Sequence, residues 1–298
     1  MTNFYDTSNI PCFGVAGNFT GHLEQAGEAI DFKNIKTNDQ NAPKAIFPTF
    51  IPMGKTAGQK DSSVMENTSP VSVLPAFLTV YPFNSQKIIF PKNEIKLQIE
   101  PECAIIFDAV WQGDTLTSLK PICFGASNDC SIRKQGAKKI SEKKNWGACS
   151  KGFSDNQIAD DGFEKGCILD DYRIASFLIR DNKVYAYGEN SAVRDYSYIY
   201  KKLTDWMLEK FNNQKDEGPA EDIHTYLVAA GHPQQIMVSI GATRYTDWGE
   251  NNFLQNNDKA VVVVYPESKY TPEQIYKMTE TCEFKDRAIS ALVQAVVM

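Results

Sequence analysis

Residues 95–110 read IKLQIEPECAIIFDAV, and more of the fold follows from this stretch than from any other. Ile95, Leu97 and Ile99 alternate with Lys96, Gln98 and Glu100, the period of two expected of a half-buried strand. Pro101 interrupts the run, and the apolar residues 103–107 behind it read as buried, so the segment is two strands or one bent strand. In extended backbone, residues i and i+2 share a face. Glu100 and Glu102 therefore project side by side. Paired buried carboxylates repel unless a cation or a proton lies between them, and hard divalent cations take oxygen ligands of this kind. The competing reading is a solvated strand end, with Pro101 marking an edge that faces water.

Outward from this stretch, strands are expected at 10–19, running into a turn at Gly17-Asn18, and at 73–81, 87–90 and 120–127. Residues 173–180 and 183–187 read as a hairpin turning at Asp181-Asn182, and 235–241 and 260–265 as buried strands. Ile199, Leu203, Trp206, Met207 and Phe211 mark one face of a helix within 195–211. Residues 22–30 are expected to form a short helix or an ordered loop. Thr271-Pro272-Glu273-Gln274 is a helix start, with a capping hydroxyl, proline at the first helical position and an acid in the first turn. Strands outnumber helices without βαβ alternation, so an α+β class is predicted. Residues 1–298 are read as a single domain. Its polar segment 33–75 is expected to be irregular: a lid, or equally a surface elaboration or subunit-contact arm.

The 298 residues are 42% hydrophobic and 23% charged, enough apolar material for a large core. A net charge of -6 argues against a nucleic-acid partner, which needs a basic face. No apolar run approaches the roughly 18 residues of a membrane helix, and the N-terminus has no basic-then-apolar leader. The seven cysteines include no CxxC pair, which predicts reduced thiols and a cytoplasmic chain.

Three further candidates stand outside the opening stretch. Asn128-Asp129 follows the apolar strand at 120–127, where loops present ligands, although such a pair is as readily a turn or a cap. Lys151-Gly152-Phe153 is by itself an ordinary loop. His22 follows a turn and is either a hydrogen-bonded structural residue or a base. His224 and His232 have no recognisable neighbours. The Lys-rich residues 133–144 are expected to be a solvated helix or loop able to attract an anion.

These pieces fall in a familiar order. Gly14-Val15-Ala16-Gly17-Asn18-Phe19-Thr20-Gly21-His22 resembles the GxGxNYxxH element of the fumarylacetoacetate hydrolase family. Ile88-Ile89-Phe90-Pro91 followed by Glu100-Pro101-Glu102-Cys103-Ala104-Ile105-Ile106 resembles its IxxP and ExELAVVI strands. Asn128-Asp129-Cys130-Ser131-Ile132-Arg133 is similar to its NDxSARD, Lys151-Gly152-Phe153 to its KSF, and residues 236–243 to its DVILTGTP strand. The resemblance covers residues 10–245, leaving 246–298 as a divergent C-terminal segment.

The resemblance implies a mixed β-sandwich roll with a few peripheral helices, and a homodimer. It implies that Glu100, Glu102 and Asp129 hold Mg²⁺ (or Mn²⁺ or Ca²⁺), and that the substrate is a small keto acid reacting through a metal-bound enolate. His22 would be the base, Lys151 would stabilise or protonate the developing charge, and Arg133 and Thr243 would contact the substrate carboxylate. Departures are concentrated around the substrate. Gln25 stands where acylpyruvase-type members carry a glutamate that raises the basicity of the histidine, with Glu24 adjacent as its replacement. Lys134 replaces an aspartate, and Gly241-Ala242-Thr243-Arg244 replaces Gly-Thr-Pro. The expected activity is that of a hydrolase or lyase, through C–C bond hydrolysis, decarboxylation or tautomerisation. The alternative is a non-catalytic, metal-stabilised scaffold or small-acid binding protein on the same fold.

Overall fold

A long hairpin beginning at Pro101 organises the molecule. The computed structural model describes residues 5–35, 37, 39–52, 74–134 and 136–298. Its first half contains β1 (Cys12–Ala16), the one-turn helix α1 (His22–Gln25), β2 (Ala45–Phe50), β3 (Lys87–Ile89), β4 (Leu97–Gln98), β5 (Pro101–Gln112) and β6 (Thr115–Asn128). Next come β7 (Ser131–Ile132), β8 (Gly152–Phe153), β9 (Ile158–Ala159), β10 (Tyr172–Arg180) and β11 (Lys183–Ala192). The rest comprises α2 (Tyr200–Asn213), α3 (Ile223–Ala229), β12 (Gln235–Ser239), α4 (Asp247–Asn251), β13 (Lys259–Pro266), α5 (Pro272–Thr281) and β14 (Ser290–Val297).

Among the described residues, one mixed sheet runs β2-β1-β12-β5-β6-β8, with β9 also paired to β6. A second runs β11-β10-β13-β14-β3, and β4 pairs with β7 as a small ribbon. Ile105, Phe107 and Phe124 of the first sheet share one buried cluster with Ile174, Leu178, Val262, Val264 and Leu292 of the second. The two sheets thus close on a common core. Strand β13 explains its own composition: Val262 and Val264 face that core, while Val261, Val263 and Tyr265 pack against Ile275 of α5. A strand covered on both faces reads as a continuous apolar run. On α2, Leu203, Met207 and Phe211 are the buried face, as their spacing predicts.

The α+β class is what the chain adopts, and several elements sharpen the expectation. The stretch 95–110 is two strands, β4 and β5, broken just before Pro101. Asp181 and Asn182 have φ of 52° and 58°, the left-handed pair of a tight hairpin turn. Thr271 and Gln274 form a reciprocal capping box at the start of α5. The helix expected within 22–30 is only the single turn α1. Residues 73–81 do not form a strand among the described positions; Ala76–Thr79 is a 3₁₀ turn between Pro75 and Pro82, closed by Thr79 Oγ1 donating to the Ala76 carbonyl at 2.8 Å.

The segment 33–75 is also more structured than its composition implies. Within it, β2 is wholly buried and pairs antiparallel with β1. Pro48 disguises this strand, and it is tolerated because β2 is the edge of its sheet, where a missing N–H need not break the ladder. Residues 53–73, on which a lid would rest, lie outside the described residues. The C-terminal segment contributes β13 and β14 to the middle of the second sheet. All seven cysteines are free thiols, and no described helix is long and apolar enough to cross a membrane.

Candidate active site

Strand register assembles the carboxylates. In the β5–β6 hairpin, Pro101 pairs with Asn128 and Glu102 with Ser127. Glu100 and Asp129 are therefore the next residues outward on the two strands, joined by the Asp129 N–H donating to the Glu100 carbonyl at 3.0 Å. Asn128 Oδ1 accepts from the Glu100 N–H at 3.1 Å and fixes that corner. One carboxylate oxygen from each of Glu100, Glu102 and Asp129 lies within 4.8 Å of the others, and all three residues are buried. β8 pairs Gly152 with Asn128, which sets Lys151 beside Asp129. The end of β12 brings Gly241, whose N–H donates to Glu102 Oε2 at 2.8 Å.

Three cations touch these acids, and a fourth, Lys143, lies behind them. Lys151 Nζ is 2.9 Å from Asp129 Oδ1 and also donates to the Cys130 carbonyl. Lys144 Nζ bridges Glu100 Oε2 at 2.5 Å and Asp129 Oδ2 at 2.8 Å. Arg133 spreads its guanidinium over Gln98, Glu28, Tyr245 and Glu100, and Lys143 joins Glu28 and Asp31. Glu102, by contrast, is paired with a backbone N–H and no cation among the described residues. Glu100 Oε1 and Asp129 Oδ2 are held by ionic contact only, without a hydrogen bond of good geometry.

Burial and charge divide the carboxylates electrostatically. Burial alone would raise the Glu100 carboxyl, but Lys144 and Arg133 hold it well below the usual range. Burial, reinforced by the Asp129 and Glu100 charges, pushes Glu102 well above it. Lys144 stays protonated against its burial because Asp129 and Glu100 flank it. Burial lowers Lys151, with Asp129 opposing and Lys144 adding to the fall. Such a set of hard oxygen donors, one of them lacking a counter-charge, fits a divalent cation in kind and spacing. Two of the three donors are nevertheless already shared with Lys144.

The sequence-derived residues distribute unevenly around this centre. His22 is buried beside it, and its Nδ1 lies 2.9 Å from the Thr243 carbonyl. A carbonyl can only accept, so Nδ1 carries the proton and Nε2 keeps a free lone pair. Burial lowers the His22 pKa, with the Glu100 charge opposing. Asn18 holds the histidine loop by donating to the Tyr198 and Ile240 carbonyls. Thr243 is fully buried, and its Oγ1 has no hydrogen-bond partner among the described residues. Arg133 is also buried here, with its guanidinium committed to Gln98, Glu28, Tyr245 and Glu100.

Glu24 does not reach the site: it is exposed on α1. Gln25 instead bonds the Tyr245 backbone through both ends of its amide. The acid that approaches is Glu28, buried between Arg133 and Lys143. The expectation of a solvated Lys-rich stretch also fails where it matters most. Lys143 and Lys144 are 3% and 2% exposed. The segment is clamped by the loop ahead of α3, where Lys139 Nζ donates to the Gly218 and Ala220 carbonyls and Ser141 Oγ to Glu221. Ile140, buried within an otherwise polar run, was the one sequence signal that this stretch turns inward.

The model of a family of unknown function, DUF5718, matches residues 28–296. No curated protein matches the chain. Among solved structures, Cg1458 bound to an inhibitor superimposes with a TM-score of 0.50 at 11% identity, covering 96% of this chain and 76% of that one. 2-Keto-3-deoxy-D-arabinonate dehydratase complexed with magnesium and 2,5-dioxopentanoate gives a TM-score of 0.50 at 11% identity, covering 96% and 72%. At that identity the likeness is one of fold, the α+β fold typified by fumarylacetoacetate hydrolase.

Proposed function

We propose that this chain, which belongs to the DUF5718 family of unknown function, is a metal-dependent enzyme of the fumarylacetoacetate hydrolase superfamily acting on a small keto acid. The observation that carries the reading is the convergence of three buried carboxylates within 4.8 Å, beside His22 and Lys151. The dehydratase of similar fold, complexed with magnesium and 2,5-dioxopentanoate, supports the same class of ligand here. Mg²⁺, Mn²⁺ or Ca²⁺ held by Glu100, Glu102 and Asp129 would supply Lewis acidity toward an enolate oxygen.

The chain's own residues do the rest. His22 presents Nε2 as a proton acceptor because Nδ1 is spent on the Thr243 carbonyl. Lys151, fully buried, places positive charge at the same corner. Thr243 Oγ1, without a hydrogen-bond partner among the described residues, is available to a substrate carboxylate. The Nδ1 partner of His22 is a neutral carbonyl rather than a carboxylate, so the imidazolium gains no charge pairing there. That arrangement favours decarboxylation or tautomerisation over activation of water for C–C hydrolysis. Assay of the purified protein with Mg²⁺ or Mn²⁺ against oxaloacetate and a series of acylpyruvates tests this. Turnover lost in His22→Gln is the expected result, and absence of turnover with every compound is the contrary one.

A second reading has its own observation. Glu28, Asp31, Glu100 and Asp129 are each paired with a base among Arg133, Lys143, Lys144 and Lys151, and burial pushes Glu102 toward its neutral form, so the cluster balances its charges without any ion. A charge-balanced cluster is what a non-catalytic scaffold would keep. Inactivity toward the whole series, with keto-acid binding still measurable by calorimetry, would favour that reading.

A further inference from the structure

We infer that Lys144 is a built-in competitor for the cation position, so that a divalent ion enters this pocket only in exchange for the Lys144 ammonium. The inference rests on the proposed reading of Glu100, Glu102 and Asp129 as a cation site. Lys144 Nζ touches Glu100 Oε2 and Asp129 Oδ2 at 2.5 and 2.8 Å, and so occupies the space between two of the three ligands. A divalent cation held by Glu100 and Asp129 would need carboxylate oxygens that the Lys144 ammonium already touches, so the two would compete for them.

Charge points the same way. In the closed cluster Arg133, Lys143, Lys144 and Lys151 are already paired with Glu28, Asp31, Glu100 and Asp129. Adding a divalent ion brings two more positive charges into a buried site, whereas releasing Lys144 as the ion enters brings only one. Repulsion between a divalent ion and a buried ammonium a few ångströms away is large at interior dielectric, so release of Lys144 is the lower-energy path. The placement of Lys144 allows it. Lys144 follows a 3₁₀ turn, Ile140–Lys143, rather than lying in a sheet, and its Nζ rests 5.1 Å above the Phe47 ring. Its departure breaks no strand ladder. Glu102, which lacks a cation partner, is the ligand that an arriving ion would meet without competition.

The test is Mn²⁺ binding, followed by electron paramagnetic resonance and by the thermal shift the ion produces. It compares wild type, Lys144→Met, Lys144→Gln, the exposed control Lys134→Met, and Glu102→Gln. Removing the competitor should tighten Mn²⁺ binding at least about tenfold in the Lys144 variants and enlarge their thermal shift, with Lys134→Met behaving as wild type. Equal affinity in wild type and the Lys144 variants, lost in Glu102→Gln, overturns the competitor while leaving the metal reading intact. No Mn²⁺ binding in any protein overturns the metal reading and the competitor with it. Should the Lys144 variants fail to fold, wild-type crystals soaked in Mn²⁺ decide. Anomalous density among the carboxylates with Lys144 Nζ withdrawn supports the exchange, and density with Nζ still bridging Glu100 and Asp129 overturns it.

Discussion

The carboxylates and the lysines of the buried cluster reach the same point by different routes. Glu100, Glu102 and Asp129 sit on or beside paired strands, where register leaves them no other place to go. Lys143 and Lys144 arrive on irregular chain whose path is set by distant contacts, chiefly Lys139 and Ser141 against residues 218–221. Ladder-built positions follow from local periodicity. Loop-built positions follow from tertiary contacts, and these have no local signature.

The widest test of that contrast is to remove a cation from each part of the Lys-rich stretch. Lys144→Met strands Glu100 and Asp129 with a buried charge each partly uncompensated, a loss of about 3–5 kcal/mol for a broken buried pair. Lys134→Met, exposed and 3.7 Å from Glu94, should change stability by no more than about 0.5 kcal/mol. Urea unfolding of the two variants side by side measures both. Equal, small effects would mean that Lys144 is solvated in solution and that the buried cluster is not closed.

The same contrast governs what the sequence reveals. The alternation of residues 95–99 and the i, i+2 geometry of Glu100 and Glu102 locate the acidic pair directly, and the β5–β6 register brings in Asp129. The Lys-rich run, by composition, is a solvated surface, and only Ile140 within it hints at burial. Glu24 is expected beside His22 because it adjoins Gln25, the position at which the resembled family carries a glutamate. The single helical turn α1 points Glu24 outward, and the chain's continuation returns Glu28 to Arg133. Strand β2 was hidden for a related reason, since Pro48 contradicts an interior strand and only the sheet order shows that β2 is an edge.

A smaller effect sharpens the role of the clamp. Burial pushes the Glu221 carboxyl up to about 7, with the Ser141 hydroxyl pulling it back. Its folded pKa is therefore raised above the unfolded carboxylate value of about 4.3. The folded state then holds a proton that the unfolded chain has lost, so stability is full below about pH 4.3 and declines as pH rises toward 7. The decline attributable to this group is on the order of 3 kcal/mol. Glu221→Gln keeps an acceptor for Ser141 but has no proton to lose. Stability measured from pH 4.5 to 7.5 should fall less steeply in the variant, and parallel curves would show that the clamp does not depend on this group.

The smallest expected change falls on the ligand that lacks a counter-charge. Burial and the neighbouring acids already push Glu102 toward its neutral form, and a protonated carboxyl is nearly isosteric with an amide. Glu102→Gln retains an oxygen to accept from the Gly241 N–H. In the absence of metal it should therefore unfold within about 0.5 kcal/mol of wild type, in contrast to Lys144→Met. Adding Mn²⁺ should separate the two proteins, raising the wild-type midpoint while leaving Glu102→Gln where it was, because only an ion gives the charged form of Glu102 a partner. A large loss in metal-free Glu102→Gln would mean that the carboxylate is charged and paired in the resting protein. The lysines would then reach further into the site than the contacts of Lys144 with Glu100 and Asp129 allow.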